Sequence, residues 1–149
     1  MTENRPAPAP IDPRGPRFNQ AVLTVALLVG FAADWRWVIP TFAVVLFLGA
    51  AFGPRYGPAL RFFSTVIRPR LDPPAELEDP RPPRFAAAVG VAFLGAATIA
   101  LAVGATAVAW GLALVVAALA GLAAVSGLCI GCELYLLLAR GRVTPTHPA

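Results

Sequence analysis

The sequence predicts an all-α fold: a polytopic membrane protein with four transmembrane helices and both termini in the cytoplasm. Three observations predict it. The 149-residue chain is 58% hydrophobic, with a mean hydropathy of +0.70, which leaves too few polar residues to cover a soluble domain of this size. The charged residues, 13% of the chain, cluster between apolar runs. The arginines fall almost entirely on one side of a four-helix arrangement.

Residues 1–17 are expected to form a flexible cytoplasmic segment, because Pro6, Pro8, Pro10, Pro13 and Pro16 forbid a helix interior. No secretory signal peptide is recognisable there, so the first transmembrane helix is expected to direct insertion. That helix is placed at 18–33, about 24 Å long. The knot Asp34-Trp35-Arg36-Trp37 follows, with two tryptophans suited to a lipid–water boundary and Asp34 and Arg36 as a hairpin cap. The second helix is placed at 38–53, with Pro40 tolerated in its first turn and Gly53-Pro54 ending it. The intervening turn is so short that the two helices form an antiparallel hairpin.

A cytoplasmic loop is expected over 54–84. In its first part, Tyr56–Leu71, apolar residues alternate with Arg61, Arg68 and Arg70, the pattern of an amphipathic helix lying in the interface. The proline- and acid-rich stretch LDPPAELEDPRPP cannot span a membrane. The third helix is placed at 85–103; its alanines and glycines allow close helix approach. The fourth apolar run, 110–139, is about 45 Å long as a straight helix and exceeds an untilted span. It therefore tilts, protrudes, or breaks near Gly121, Ser126-Gly127 or Gly131. Residues 18–140 make one membrane domain and 141–149 a flexible tail. The two hairpins are similar in length, without a convincing internal repeat.

Arg5, Arg14, Arg17, the six arginines of the central loop, Arg140 and Arg142 share one side, and only Arg36 lies opposite. The positive-inside rule makes that side cytoplasmic. The net charge of +4 comes from arginine alone; it sets topology and meets anionic lipid head groups. Interleaved prolines and acids give no nucleic-acid footprint.

The segment GLCIGCELY, Gly127–Tyr135, carries both cysteines of the chain. On a continuous fourth helix Cys132 lies about 12 Å and Cys129 about 16 Å inward of Arg140, within the cytoplasmic half of the bilayer. Cys129, Cys132, Glu133 and Leu136 share one stripe. Gly127 and Gly131 form a small-residue pair able to admit a neighbouring backbone. A carboxylate at that depth needs a partner, and Arg84 or Arg61 is nearest.

Three accounts of the cysteines compete. A vicinal pair can close a disulfide or carry a persulfide. It can supply two metal ligands where structural zinc takes four, with His147, the only histidine, in the tail. It can also simply pack as two small apolar residues. No cofactor is called for. Asp12-Pro13-Arg14 and Glu78-Asp79-Pro80-Arg81 are acid–base clusters that can pair with each other or dock a partner; as isolated charges they are solvated loop residues.

IDPRGPRFNQ before the first helix, IRPRLDPP, ELEDPRPPRFA leading into the third helix, and GLCIGCELY together resemble the DUF4395 family of small bacterial membrane proteins over about residues 11–140. The resemblance implies a bacterial inner-membrane location and a family without an established activity. It also implies association with thioredoxin-like or sulfurtransferase proteins, which favours thiol or sulfur chemistry at Cys129 and Cys132. On this reading Cys132 exchanges, Cys129 resolves, and Glu133 with an arginine tunes the pair. The alternatives are a non-enzymatic membrane subunit or scaffold with structural cysteines, including a homo-oligomer, and a small oligomeric channel or transporter for a sulfur species.

Overall fold

The computed structural model describes residues 9–53 and 56–141. Residues 1–8, Pro54, Arg55 and the tail from Arg142, with His147, lie outside the described residues. The fold is all-helical: α1 (Arg14–Ala32), α2 (Val38–Phe52), α3 (Pro58–Phe62), α4 (Arg81–Ala102), α5 (Thr106–Ser126) and α6 (Ile130–Arg140). The helical path of α3 continues through a π turn, Phe63–Ile67, and a 3₁₀ turn, Arg68–Arg70, so the expected amphipathic segment is helical with a changing pitch.

Two helices, α4 and α5, are long and apolar enough to cross a membrane. Their 22 and 21 residues correspond to about 33 and 32 Å. The outward faces carry large apolar residues, among them Val25, Phe47, Ile99, Val115 and Val125. The interior is built largely from alanine: Ala97, Ala109, Ala113 and Ala117 are almost wholly buried around Leu27, Ile39 and Leu94. Small residues inside and large apolar residues outside let backbones approach closely and put the greasy surface outward.

Helix boundaries differ from expectation at three helix starts and within the fourth run; α5 begins at Thr106 and not at 110, because the turn closes at Gly104, φ +83°. Both α1 and α4 begin about a turn early, at Arg14 and Arg81, because Pro13, Pro16, Pro80, Pro82 and Pro83 sit at or beside the first turn, where a missing N–H costs nothing. The run 110–139 is two helices, broken after Ser126, at one of the three breaks the sequence allowed. Gly127 takes the left-handed conformation, φ +74°, and reverses the chain. The depths reckoned along one continuous helix therefore do not apply to the cysteines.

The chain also carries the repeat that the sequence reading did not recognise. Asp12-Pro13-Arg14-Gly15-Pro16-Arg17-Phe18 and Asp79-Pro80-Arg81-Pro82-Pro83-Arg84-Phe85 differ only at Gly15 and Pro82. Each copy starts a helix in the same way: Asp12 Oδ1 accepts the Arg14 N–H at 2.9 Å, and Asp79 Oδ1 accepts the Arg81 N–H at 2.9 Å. The residue before each motif pairs with its counterpart, Ile11 with Glu78, through two antiparallel backbone bonds of 2.9 Å. A residue pairing antiparallel with its own equivalent marks an approximate two-fold axis.

The packing follows that axis. α1 lies on α5 and α2 on α4, contacts that exchange between the halves. Each second helix ends at a glycine of positive φ, Gly53 at +95° and Gly127 at +74°. Each is followed by a short helix folded against the motif phenylalanine: Phe62 and Phe63 lie 6.2 and 5.7 Å from Phe18, and Tyr135 lies 5.7 Å from Phe85. The halves differ in one respect. α4 packs closely along α5, whereas α1 and α2 are splayed and leave an apolar cleft lined by Phe18, Val22, Phe42, Val45 and Phe62.

Candidate functional site

The cysteines sit at the corner between α5 and α6. Gly127 donates its N–H to Ala123 O at 3.0 Å, closing α5. The Ser126 hydroxyl donates to Leu122 O at 2.6 Å and accepts the Leu128 N–H at 3.2 Å, which holds the reversed strand. Cys129 then adopts an extended backbone, φ −88° and ψ 103°, and is the N-cap of α6. Its carbonyl accepts the Glu133 N–H at 2.9 Å, the first bond of that helix. The thiol is thereby placed at a helix N-terminus, where backbone N–H groups are unpaired and the helix dipole is positive.

Both thiols are free, half-buried, and outside the two helices long and apolar enough to cross a membrane. The neighbouring Cys132 thiol first, and the nearby backbone N–H groups of Cys132 and Gly131, favour the Cys129 anion against the opposing effect of burial. Gln20 Nε2, from α1, donates to the same sulfur at 3.7 Å. These donors pull Cys129 down to about 6. Cys132 is pushed up by its bond to Cys129, then by burial and by the negative charges of Cys129, Glu78 and Glu133. The Gln20 hydrogen bond and the α6 N-terminus both act at Cys129, so the anion is favoured there, on the residue assigned the resolving role from sequence.

Gln20 is the site residue that the sequence reading missed. The signal available was an adjacent pair of amides, Asn19-Gln20, early in an otherwise apolar helix. Both amides line a partly open cavity. This cavity, about 160 Å³, lies between α1, α2, α4 and α5, and Cys129 and Gln20 form part of its wall. Most of the remaining wall is apolar, including Leu23, Leu46, Phe93 and Ala120.

The other sequence candidates are placed as follows. Glu133 is exposed, and among the described residues the only ion pair is Asp34–Arg36, at 3.2 Å in the α1–α2 turn. There the Arg36 hydrogen bond holds the Asp34 carboxyl below its ordinary value. The expected pairing of Glu133 with Arg84 or Arg61 does not form. Arg84 instead donates to Ala50 O at 2.9 Å and Ala51 O at 3.3 Å, the orphan carbonyls at the end of α2. Arg61 lies in α3, and its carbonyl accepts the Ser64 and Thr65 hydroxyls at 2.9 and 2.8 Å. Arg14 Nη1 donates to Asp72 O at 3.1 Å. Asp12 is buried and, like Asp79, serves a helix start; the two acid–base clusters meet through the backbone of Ile11 and Glu78.

Gly131 does admit a neighbouring backbone: a Cβ there would stand 2.7 Å from Ala86 Cβ and 3.0 Å from Ala86 Cα. Gly127 does not share that role. It is the corner residue, and the Arg17 guanidinium lies against it, 2.7 Å from where a Cβ would stand. Arg17 thus covers the end of α5 as Arg84 covers the end of α2. Among the described residues no three His, Cys, Asp or Glu side chains converge on a metal-sized space.

Comparison with known proteins gives one match. The model of the family described as "Domain of unknown function (DUF4395)" matches residues 11–140. No curated protein and no solved structure among those compared is similar to this chain. The matched span runs from the Ile11 bridge through the Cys129–Cys132 corner to the end of α6, and over that span the chain belongs to the DUF4395 family.

Proposed function

We propose that this protein is a four-helix membrane protein of the bacterial inner membrane, with both termini cytoplasmic, and that Cys129 and Cys132 form a thiol–disulfide exchange site at its cytoplasmic face. α1, α2, α4 and α5 are the spans; α3 and α6 are too short to cross and lie in the interface. The observation that carries the redox reading is the placement of Cys129. It caps α6, receives a hydrogen bond from Gln20, and lines a cavity, with Cys132 beside it. A thiolate so held is the attacking sulfur, and Cys132, one helical turn on, is the resolving thiol. This reverses the roles expected when depth was reckoned along a single helix. Glu133, exposed at the protein surface, tunes Cys132 and does not need a buried partner.

The partner in this reading is a soluble thioredoxin-like or sulfurtransferase protein that docks beside Arg61, Arg68 and Arg70. The test is trapping. Thiol–disulfide exchange runs in both directions, so in membranes carrying Cys132→Ser, Cys129 attacks the oxidised form of the partner and cannot be released, and a mixed disulfide accumulates. In Cys129→Ser it does not. Equal trapping by the two variants, or none by either, overturns the assignment. Site-directed labelling at Trp35 and Gly141 from opposite sides of sealed vesicles tests the orientation. A purely structural reading draws on the close Gly131–Ala86 contact; it expects silent cysteine variants and lost assembly in Gly131→Leu.

A further inference from the structure

A dithiol needs a two-electron acceptor, and the surroundings of Cys129 restrict its chemistry. The cavity that Cys129 walls is about 160 Å³. That is close to the ~150 Å³ of an engineered apolar cavity that holds one benzene ring. A planar ring fits that space. The wall is apolar except at one end, where Asn19, Gln20 and Arg84 line it together with Cys129. Those side chains supply N–H donors and suit a ligand whose polar atoms are carbonyl oxygens.

A route for an apolar tail is also present. α1 and α2 are splayed, and the cleft between them is lined by Phe18, Val22, Phe42 and Phe62. Val45 lines both this cleft and the cavity, so one side chain separates them. The corresponding side of the other half, between α4 and α5, is closed by helix packing. The asymmetry opens the cavity wall on one flank only.

We infer that the cavity is the binding site of a lipid-soluble quinone that oxidises the Cys129–Cys132 dithiol, its ring beside Cys129 and its apolar tail leaving between α1 and α2. This rests on the thiol reading above and names its oxidant. The Cys129 thiolate and the Cys132 S–H form one S–S bond, releasing two electrons and the Cys132 proton. With one further proton from water these convert the quinone carbonyls to the two hydroxyls of the quinol. The disulfide then passes to a dithiol partner, which restores both thiols and is itself oxidised.

The test uses the full-length protein, reduced, in detergent micelles, with decylubiquinone as the probe. Quinol formation is read by absorbance and the protein disulfide by alkylation and intact mass. One disulfide per quinol is expected. Gly49 lines the cavity, and a Cβ added to it meets nothing within 4 Å. Gly49→Phe fills the space and is expected to slow quinone-driven oxidation roughly tenfold or more. Oxidation by water-soluble glutathione disulfide is expected to keep its rate, which also shows that the variant is folded. Gly49→Leu is the milder substitute where that control fails. Disulfide formation with glutathione disulfide but none with quinone overturns the quinone site and leaves the thiol reading standing. Quinone turnover indifferent to both Gly49 variants overturns the cavity as its location. Failure of both oxidants to form the disulfide overturns the thiol reading itself.

Discussion

Replacing Gly127 by alanine separates the broken from the continuous helix by the sign of a stability change. Gly127 has φ +74° and ψ −2°, so an L-residue there carries the left-handed penalty of about 1–2 kcal/mol. The new methyl would also stand 2.7 Å from Arg17 Nη2. That atom is the free end of a long side chain and swings aside at small cost, so the backbone term dominates. Gly127→Ala is expected to destabilise the protein by about 1–2 kcal/mol, and Gly127→Asn by less, because asparagine enters this region more readily. A continuous helix across 106–140 makes the opposite prediction. Glycine within a helix is worse than alanine by about 0.8–1.0 kcal/mol, so the same change would stabilise. Reversible unfolding in mixed detergent micelles reads the difference. An alanine variant as stable as the parent, or more so, refutes the corner and everything placed on it.

Two further outcomes follow from the site's geometry. Alkylation of Cys129 tracks its thiolate, whose pKa is lowered to about 6, so the rate is expected to be nearly level above neutrality and to fall as pH drops through that value. An ordinary thiol near 8.5 would instead lose about tenfold per unit from pH 8 downward; Gln20→Leu is expected to shift the profile toward that behaviour. Gly131→Leu forces a side chain into Ala86 and its backbone, with contacts that start at 2.7 Å. A loss of about 1–3 kcal/mol is expected in the same unfolding assay, together with release of α6 from α4.

The all-helical fold was legible because long apolar runs punctuated by Gly and Pro leave few alternatives. The corner at Gly127 was legible only as one of three candidate breaks, since a glycine within the largely apolar run 110–139 reads equally as a packing surface or as a left-handed cap. Only the partners of Ser126 and Cys129 decide between these. The Arg84 assignment failed for a related reason. A guanidinium close to a carboxylate in sequence models is also close to helix ends, and the carbonyls of Ala50 and Ala51 took it. Gln20 was hidden by distance along the chain, because nothing local links an amide of α1 to a sulfur that follows α5. The repeat was present in the letters Asp-Pro-Arg and Pro-Arg-Phe, and it became meaningful once Ile11 was seen to pair with Glu78.

The repeat also bears on whether the cysteines are there only to pack. The first half reaches a similar helix cap without them, four residues after Gly53 where Cys129 stands two after Gly127. After Gly53 the chain reaches Gly57, which caps α3 with φ −73° and ψ 120°, close to the −88° and 103° of Cys129. Counted from those caps, Leu60 stands where Cys132 does. The fold therefore makes the reversal, the cap and the aromatic contact to the motif phenylalanine with glycine and leucine. Thiols are surplus to that structural task. The double variant Cys129→Ala with Cys132→Ala is accordingly expected to unfold within about 1 kcal/mol of the parent, and to lose partner trapping and quinone reduction completely. A large loss of stability in that variant would mean the second corner needs its sulfurs to fold, and the chemical reading of the site would lose its main structural support.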